Sequence, residues 1–168
     1  MTSPFARENH AVEEVINGFE DGFEFSPGGK MKTVPYMYFN GNAADALKFY
    51  EKVFQTKQPE VMLFKEMPGA DPESPFADKI LHAEIEIGND VYYISDAVGQ
   101  DQVSVGNNLQ INLNCDSEEE LRKVFAGLSE GATITMPIEN TFWDALFAGL
   151  MDKYGISWTL NFQKNTAP

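Results

Sequence analysis

The feature that most constrains this chain is an internal repeat. In the first half TVPYMYF reads as a strand, ADALKFYEKVF as a helix and PEVMLFKEM as a second strand. ILHAEIEI and VYYIS follow as a hairpin joined through Gly88, Asn89 and Asp90. The plan then recurs. NLQINLNC is a strand, EEELRKVFAGL a helix and ATITMPI a strand. ENTFWDALFAG reads as a long connection, and GLMDKYG leads through a turn into the strand ISWTLNF. Asn42 falls on Ser117 and Tyr50 on Phe125, whereas Tyr36 falls on Gln110 and Tyr38 on Asn112 in a register one residue shorter. A duplicated βαβββ unit with a one-residue slip accounts for both registers, and such a repeat dictates the architecture before any local detail. Each helix has a start signal: Asn42 is the expected N-cap of the first, and Ser117 with Glu120 forms a capping box on the second.

The chain ahead of the repeat reads differently. Val12, Val15, Ile16, Phe19 and Phe23 recur at helical spacing, and SPGG then breaks the pattern. Residues 1–32 are expected to be an extension with a short amphipathic helix, and 33–168 a single domain with modules at 33–96 and 108–163. His10, beside Glu13 and Glu14, is expected on the surface of that helix.

Charge excludes several partners. The net charge is −14, and Arg7 and Arg122 are the only arginines. Nucleic acid and anionic membrane surfaces both demand clustered Lys and Arg, and a bidentate grip on phosphate needs a guanidinium. The one cysteine, Cys115, forbids an internal disulfide and suits a reducing compartment; it reads as buried packing. No run approaches the ~20 apolar residues of a membrane helix, and the start lacks a secretory pattern. The expected location is the cytoplasm.

YMYFNGNAADALKFYEKVF, KILHAEIEIGNDVYYISD, CDSEEE and TFWDALFAGLMDKYGISW, in this order, resemble the PhnB-like branch of the vicinal oxygen chelate superfamily. That superfamily holds glyoxalase, bleomycin-resistance proteins and extradiol dioxygenases. The resemblance spans about residues 33 to 163. It implies an α+β fold in which two βαβββ modules form a half-open barrel, with helices outside and a pocket within, and it implies a homodimer. Relatives often carry a demethylubiquinone methyltransferase label. A methyltransferase of the common kind needs a glycine-rich turn after a strand of a doubly wound domain, and no strand here is followed by one.

Strand parity sorts the side chains of that fold, because alternate residues face opposite sides. Leu81, Ala83, Ile85 and Ile87 share the helix-facing parity, which leaves His82, Glu84 and Glu86 on the pocket side. The same rule sends Tyr36 and Tyr38 to the pocket and Met37 and Phe39 beneath the helix. It puts Gln110, Asn112 and Asn114 inside, with Leu109, Ile111 and Leu113 outside. Thr159 and Asn161 point inward between Trp158, Leu160 and Phe162, and Tyr93 and Ser95 match them in the first module.

The resemblance also implies where a metal would sit: His or Glu on the first and last strands of each module. Those seats hold Val34, Ser95, Asn108 and Asn161, and zinc prefers imidazole, thiolate and carboxylate. The expectation is therefore no metal and no cofactor. The sharpest constellation is His82 with Glu84 and Glu86, whose side chains project from one face roughly 6.5 to 7 Å apart. An imidazole beside a carboxylate can act as a general base near neutral pH, and the trio could recruit a metal with help from another strand. It reads equally as a polar wall. Trp143, after Thr141 and Phe142, is either a lid on a flat ligand or a plug or dimer contact. Where relatives often carry a glutamate and an arginine around this motif, the chain has Asn140 and Leu146. Tyr36, Tyr38 and Tyr93 either donate to a ligand or fill the wall. The run Asp71 to Asp78 reads as a solvated loop. Three functions stay open: a binding protein for a small organic molecule, a lyase, isomerase or oxygenase built on His82, and a dimerisation scaffold with a degenerate pocket.

Overall fold

The computed structural model describes residues 32–99 and 102–164; the expected extension helix and His10 lie outside them. β1 (Tyr36–Phe39), α1 (Ala43–Phe54), β2 (Glu60–Leu63), β3 (Ile80–Ile87) and β4 (Asp90–Asp96) make the first module. β5 (Ile111–Asn114), α2 (Glu118–Leu128), β6 (Thr133–Asn140), β7 (Ala145–Met151) and β8 (Ser157–Gln163) make the second. The two four-stranded sheets share one topology, β1-β4-β3-β2 and β5-β8-β7-β6. In each, only the first and last strands of the module run parallel, because the module's helix carries the chain across before the hairpins return it. This is the glyoxalase-like α+β fold with two βαβββ modules. Among the described residues no helix is long and apolar enough to cross a membrane.

Parity holds where the ladders are regular. Met37 and Phe39 are buried under α1 while Tyr36 and Tyr38 are exposed. Ala83, Ile85, Ile87, Ile94, Trp158 and Leu160 join them in one apolar cluster that spans both modules. Tyr50 of α1 lies edge-on to Trp158 of β8, ring centroids 5.8 Å apart. Both rings donate to Asp152, Tyr50 Oη at 2.7 Å and Trp158 Nε1 at 2.8 Å. One buried carboxylate of the second module therefore bonds a ring from each module.

Several local expectations are corrected. Asn42 occupies the N-cap of α1 but its side chain bonds nothing there. The buried Asp96 does that work: Oδ1 accepts from the Ala43 N–H at 2.9 Å and Oδ2 from the Ile80 N–H at 3.0 Å. Ser117 caps α2 by accepting from the Glu120 N–H at 3.1 Å. The glutamate reaches one residue past the box, accepting from Asp116 N–H at 2.8 Å. β2 ends at Leu63 and turns into a 3₁₀ segment at Phe64–Glu66. Gln110 and Asn108 precede β5, and Leu109 is 78% exposed rather than beneath a helix.

The largest correction concerns ENTFWDALFAG. It is no long connection: β6 reaches Asn140, residues 141–144 turn, and β7 starts at Ala145. β7 is central, between β6 and β8, and is buried on both faces. A strand of that kind shows a continuous apolar run instead of alternation. The β3–β4 turn, by contrast, is the expected tight hairpin, with Gly88 at φ 63° ahead of Asn89.

Candidate functional site

The uncovered face of the first sheet is aromatic and acidic. Residues directly opposite each other on neighbouring strands share a face, which lays the side chains in two rows. One row runs Tyr36, Tyr93, Glu84, Glu60 across β1, β4, β3 and β2. The other holds Tyr38 beside Ser95, and His82 beside Met62. Tyr36 stacks on Tyr38 with centroids 4.6 Å apart and planes at 21°. Tyr93 meets Tyr36 edge-on at 5.5 Å and His82 at 4.8 Å. Tyr36 and Tyr38 remain 41% and 47% exposed.

His82 is held at both ring nitrogens. Nδ1 lies 3.1 Å from Tyr36 Oη, and Nε2 lies 3.4 Å from Glu84 Oε1. Glu84 can only accept, so this pairing assigns the ring proton to Nε2 and leaves Nδ1 to accept from the phenol. Partial burial, and after it the neighbouring Tyr38, raises the Tyr36 pKa above its ordinary value. Tyr36 therefore stays a neutral phenol. Glu86, the third member of the expected constellation, lies away from His82: with Glu60, Glu84 and Lys57 it lines a hollow of about 250 Å³.

Ser95 forms the floor of this face, bordering the larger cavity beside Tyr38 and bonding the Tyr36 side chain. It is 4% exposed, and its hydroxyl donates to the Leu81 carbonyl at 2.8 Å. The cause is a bulge: Met62 pairs with His82 and Leu63 with Ile80, so Leu81 is the extra residue. The bulge also turns Ile80 into the core, at 2% exposure. Two cavities flank Tyr38. One, of about 660 Å³, is bounded by Tyr38, Phe64, Ser95, Asp96, Gln102 and Val103 among others. The other, of about 330 Å³, is bounded by Tyr36, Tyr38, Val103, Leu109, Ile111 and Ile156. His82 lines neither; it sits on the open sheet beside them.

The second sheet carries amides on its matching face. Thr159 Oγ1 donates to Asn112 Oδ1 at 3.0 Å, Asn112 Nδ2 to Asn114 at 3.1 Å, and Asn161 Nδ2 to Asn114 at 3.3 Å. The parallel pairing sets Tyr38 opposite Ser95 and Asn112 opposite Thr159, so Thr159, not Asn161, is the counterpart of Ser95. Gln110 lies ahead of this ladder, exposed. Trp143 is on the β6–β7 turn, not on a long lid. Its ring neighbours among the described residues are Phe142 at 4.7 Å and Phe147 at 6.3 Å. Gln163 Nε2 pins the turn by donating to the Trp143 and Asp144 carbonyls at 3.1 and 3.2 Å.

The metal seats that the resemblance implies hold poor donors. Val34 and Asn108 lie outside the strands, the Ser95 proton is committed, and Asn161 turns its amide to Asn114. Among the described residues no three His, Cys, Asp or Glu side chains gather as a ligand set. Cys115 is half-buried, and burial, with Glu120 and Asp116 nearby, pushes its thiol up to about 11. Glu60 and Met62 are the members of the face that sequence reasoning missed. EVML carries no polar–apolar alternation to mark them, and the strand is only four residues long.

A family model described as 3-demethylubiquinone-9 3-methyltransferase matches residues 31–161. The chain belongs to this family. It is the PhnB-like family, and its fold is shared with a glyoxalase/bleomycin resistance protein/dioxygenase family enzyme from Burkholderia phytofirmans PsJN, 15% identical with a TM-score of 0.53 over 76% and 94% of the two chains. The PhnB-like chain is 29% identical over 143 residues to protein YjdN of Escherichia coli, covering 80% of this chain and 97% of that one. Protein PA1353 of Pseudomonas aeruginosa is 32% identical, with a TM-score of 0.69, over 81% of this chain and all of that one. A Bacillus cereus PhnB protein, titled a putative 3-demethylubiquinone-9 3-methyltransferase, is 26% identical with a TM-score of 0.62, over 79% and 99% of the two chains. The described strands of the PhnB-like chain form two mixed sheets and not the doubly wound domain on which the common methyltransferases bind their cofactor.

Proposed function

We propose that the protein binds a small organic molecule against the open aromatic face of its first module, as a homodimer in the cytoplasm and without the superfamily's usual divalent metal. The carrying observation is the exposed ring cluster of Tyr36, Tyr38 and Tyr93 around His82, beside two cavities of ligand size. Stacked, half-exposed rings give a flat ligand apolar contact and hydroxyls to bond at once. Asn112, Thr159 and Asn161 would supply the polar side of the site. The donor sets at Val34, Ser95, Asn108 and Asn161 argue against a chelated cation. Phe142 is 97% exposed, which favours a partner surface at the β6–β7 turn.

The test is a thermal-shift screen against metabolites and antibiotics, repeated with Tyr38→Ala. A ligand at a hundred times its Kd stabilises the native state by ~2.7 kcal/mol. The expected hit raises Tm in the wild type and loses that shift in the variant. Hits indifferent to Tyr38→Ala would remove the face from consideration. Light scattering of the purified protein checks the dimer, and a monomer at micromolar concentration refutes it.

A second reading is favoured by the Tyr36–His82–Glu84 chain of contacts. Here Glu84 orients His82, and the imidazole takes a proton from a substrate, with Tyr36 as a neutral donor. His82→Ala that keeps ligand affinity but abolishes turnover supports this enzyme; equal loss of both leaves binding alone.

A further inference from the structure

Charge on the aromatic face is one-sided. Tyr93 stands opposite Glu84, and Glu84 opposite Glu60, so the ring row runs straight into carboxylates. Neither cavity beside Tyr38 is lined by Lys or Arg. The lysines that follow β2 and precede β3 are engaged elsewhere: Lys65 pairs with Asp78 at 2.7 Å, and Lys79 donates to the Gly41 carbonyl at 2.6 Å. Lys57 borders the face only at the far hollow, among Glu60, Glu84 and Glu86. Among the described residues, an anionic ligand would meet these carboxylates with no ammonium or guanidinium lining the cavities beside the rings to answer it.

The rings themselves favour the opposite sign. Tyr36 and Tyr38 present nearly parallel faces, and Tyr93 stands at 78° to Tyr36. The three rings touch one another, so a ligand lies over the walls they form together, where the open ring area of Tyr36 and Tyr38 offers the negative side of the quadrupole. An alkylated ammonium suits such walls, since its methyl groups are apolar and its charge is weakly hydrated. The chain's net charge of −14 further concentrates cations at its surface.

We propose that the ligand of this face is an organic cation, an alkylated or quaternary ammonium held against Tyr36, Tyr38 and Tyr93 with Glu84 and Glu60 as counter-charges. The inference rests on the aromatic face being the ligand site. It is tested by calorimetric titration of the full chain with choline, its neutral isostere 3,3-dimethylbutan-1-ol, and phosphonoacetate. Choline is expected to bind, and the neutral isostere to bind about tenfold more weakly, which is ~1.4 kcal/mol. Phosphonoacetate is expected not to bind. Glu84→Gln, at a side chain 51% exposed and safe for folding, should weaken choline several-fold and leave the isostere unchanged. An isostere as tight as choline, measurable phosphonoacetate binding, indifference to Glu84→Gln, or no choline binding overturns the cation. If the neutral or anionic probe binds and Tyr38→Ala abolishes it, the face survives as the site and only its charge preference falls.

Discussion

Replacing Asp152 by Asn asks whether one buried carboxylate holds the two modules together. The side chain is 3% exposed and accepts four hydrogen bonds. Oδ2 takes Tyr50 Oη and Trp158 Nε1 at 2.7 and 2.8 Å, and Oδ1 takes the Tyr154 and Ile156 N–H groups at 2.9 and 3.0 Å. Asparagine keeps the shape but offers one oxygen, so two of the four donors must face an NH₂. The Tyr50 hydroxyl can rotate to accept from it; the Trp158 N–H and the backbone donors cannot. A buried donor left unpaired costs about 1–3 kcal/mol, and bonds to a charged acceptor are the stronger kind. The expected loss is about 3–5 kcal/mol, a large part of the ~5–15 kcal/mol a domain holds. In melting temperature it is roughly 10–20 °C for a domain of this size. Urea unfolding followed by tryptophan fluorescence measures it, with an unchanged m-value as the sign that only stability moved. Tyr50→Phe removes one bond and should cost ~1 kcal/mol. The double variant should cost less than the sum, because the Tyr50–Asp152 bond is counted twice. A loss below ~1 kcal/mol for Asp152→Asn would refute the view that this carboxylate organises the junction.

Asn42→Ala should change stability by no more than a few tenths of a kcal/mol, Ser117→Ala should cost ~1 kcal/mol and Asp96→Ala more, by denaturant titration, because only the latter two side chains bond a helix start. Burial, reinforced by Asp152, raises the Tyr50 pKa above its ordinary 10.0. Its contribution is therefore complete below pH ~10 and is lost above, at about 1.4 kcal/mol per pH unit as the unfolded phenol ionises; Tyr50→Phe should remove that share of the alkaline slope. Cys115, pushed from 9.0 to about 11, should alkylate at pH 8 roughly a hundredfold slower than a free thiol, and equal rates by mass spectrometry would contradict its burial.

What could be read from the sequence was what strand and helix periodicity encode. β3 has the bounds expected from ILHAEIEI, and α2 those from EEELRKVFAGL. The split of Met37 and Phe39 from Tyr36 and Tyr38 follows from alternation alone. Features that depend on a partner far along the chain stayed hidden. β7 shows no alternation because it is covered on both faces, and its Ala and Gly are weak strand formers. The bulge at Leu81 needs the pairing with β2 to be seen, so the bond that ties the Ser95 hydroxyl to the Leu81 carbonyl could not be foreseen. Asp96 and Asp152 look like two of many surface carboxylates until their donors, a helix start and two buried rings, are in place.

The duplication itself bears on where recognition lives. Both modules build the same ladder, so the difference between their open faces is one of side chains alone. On the second face Asn112, Asn114, Thr159 and Asn161 are already bonded to one another. A ligand bonding there must break contacts worth about 1 kcal/mol each before it gains any. On the first face Tyr36 and Tyr38 expose ring surface to water, and covering it requires no bond to be broken. Apolar area removed from water contributes about 25 cal/mol per Å², so the aromatic sheet can supply affinity while the amide sheet mainly selects orientation. Truncations should divide accordingly: Tyr38→Ala should lower affinity for every ligand of the site, whereas Asn112→Ala should change the ranking among ligands more than the affinity for the best one, and a calorimetric series in which Asn112→Ala weakens all ligands equally would contradict that division.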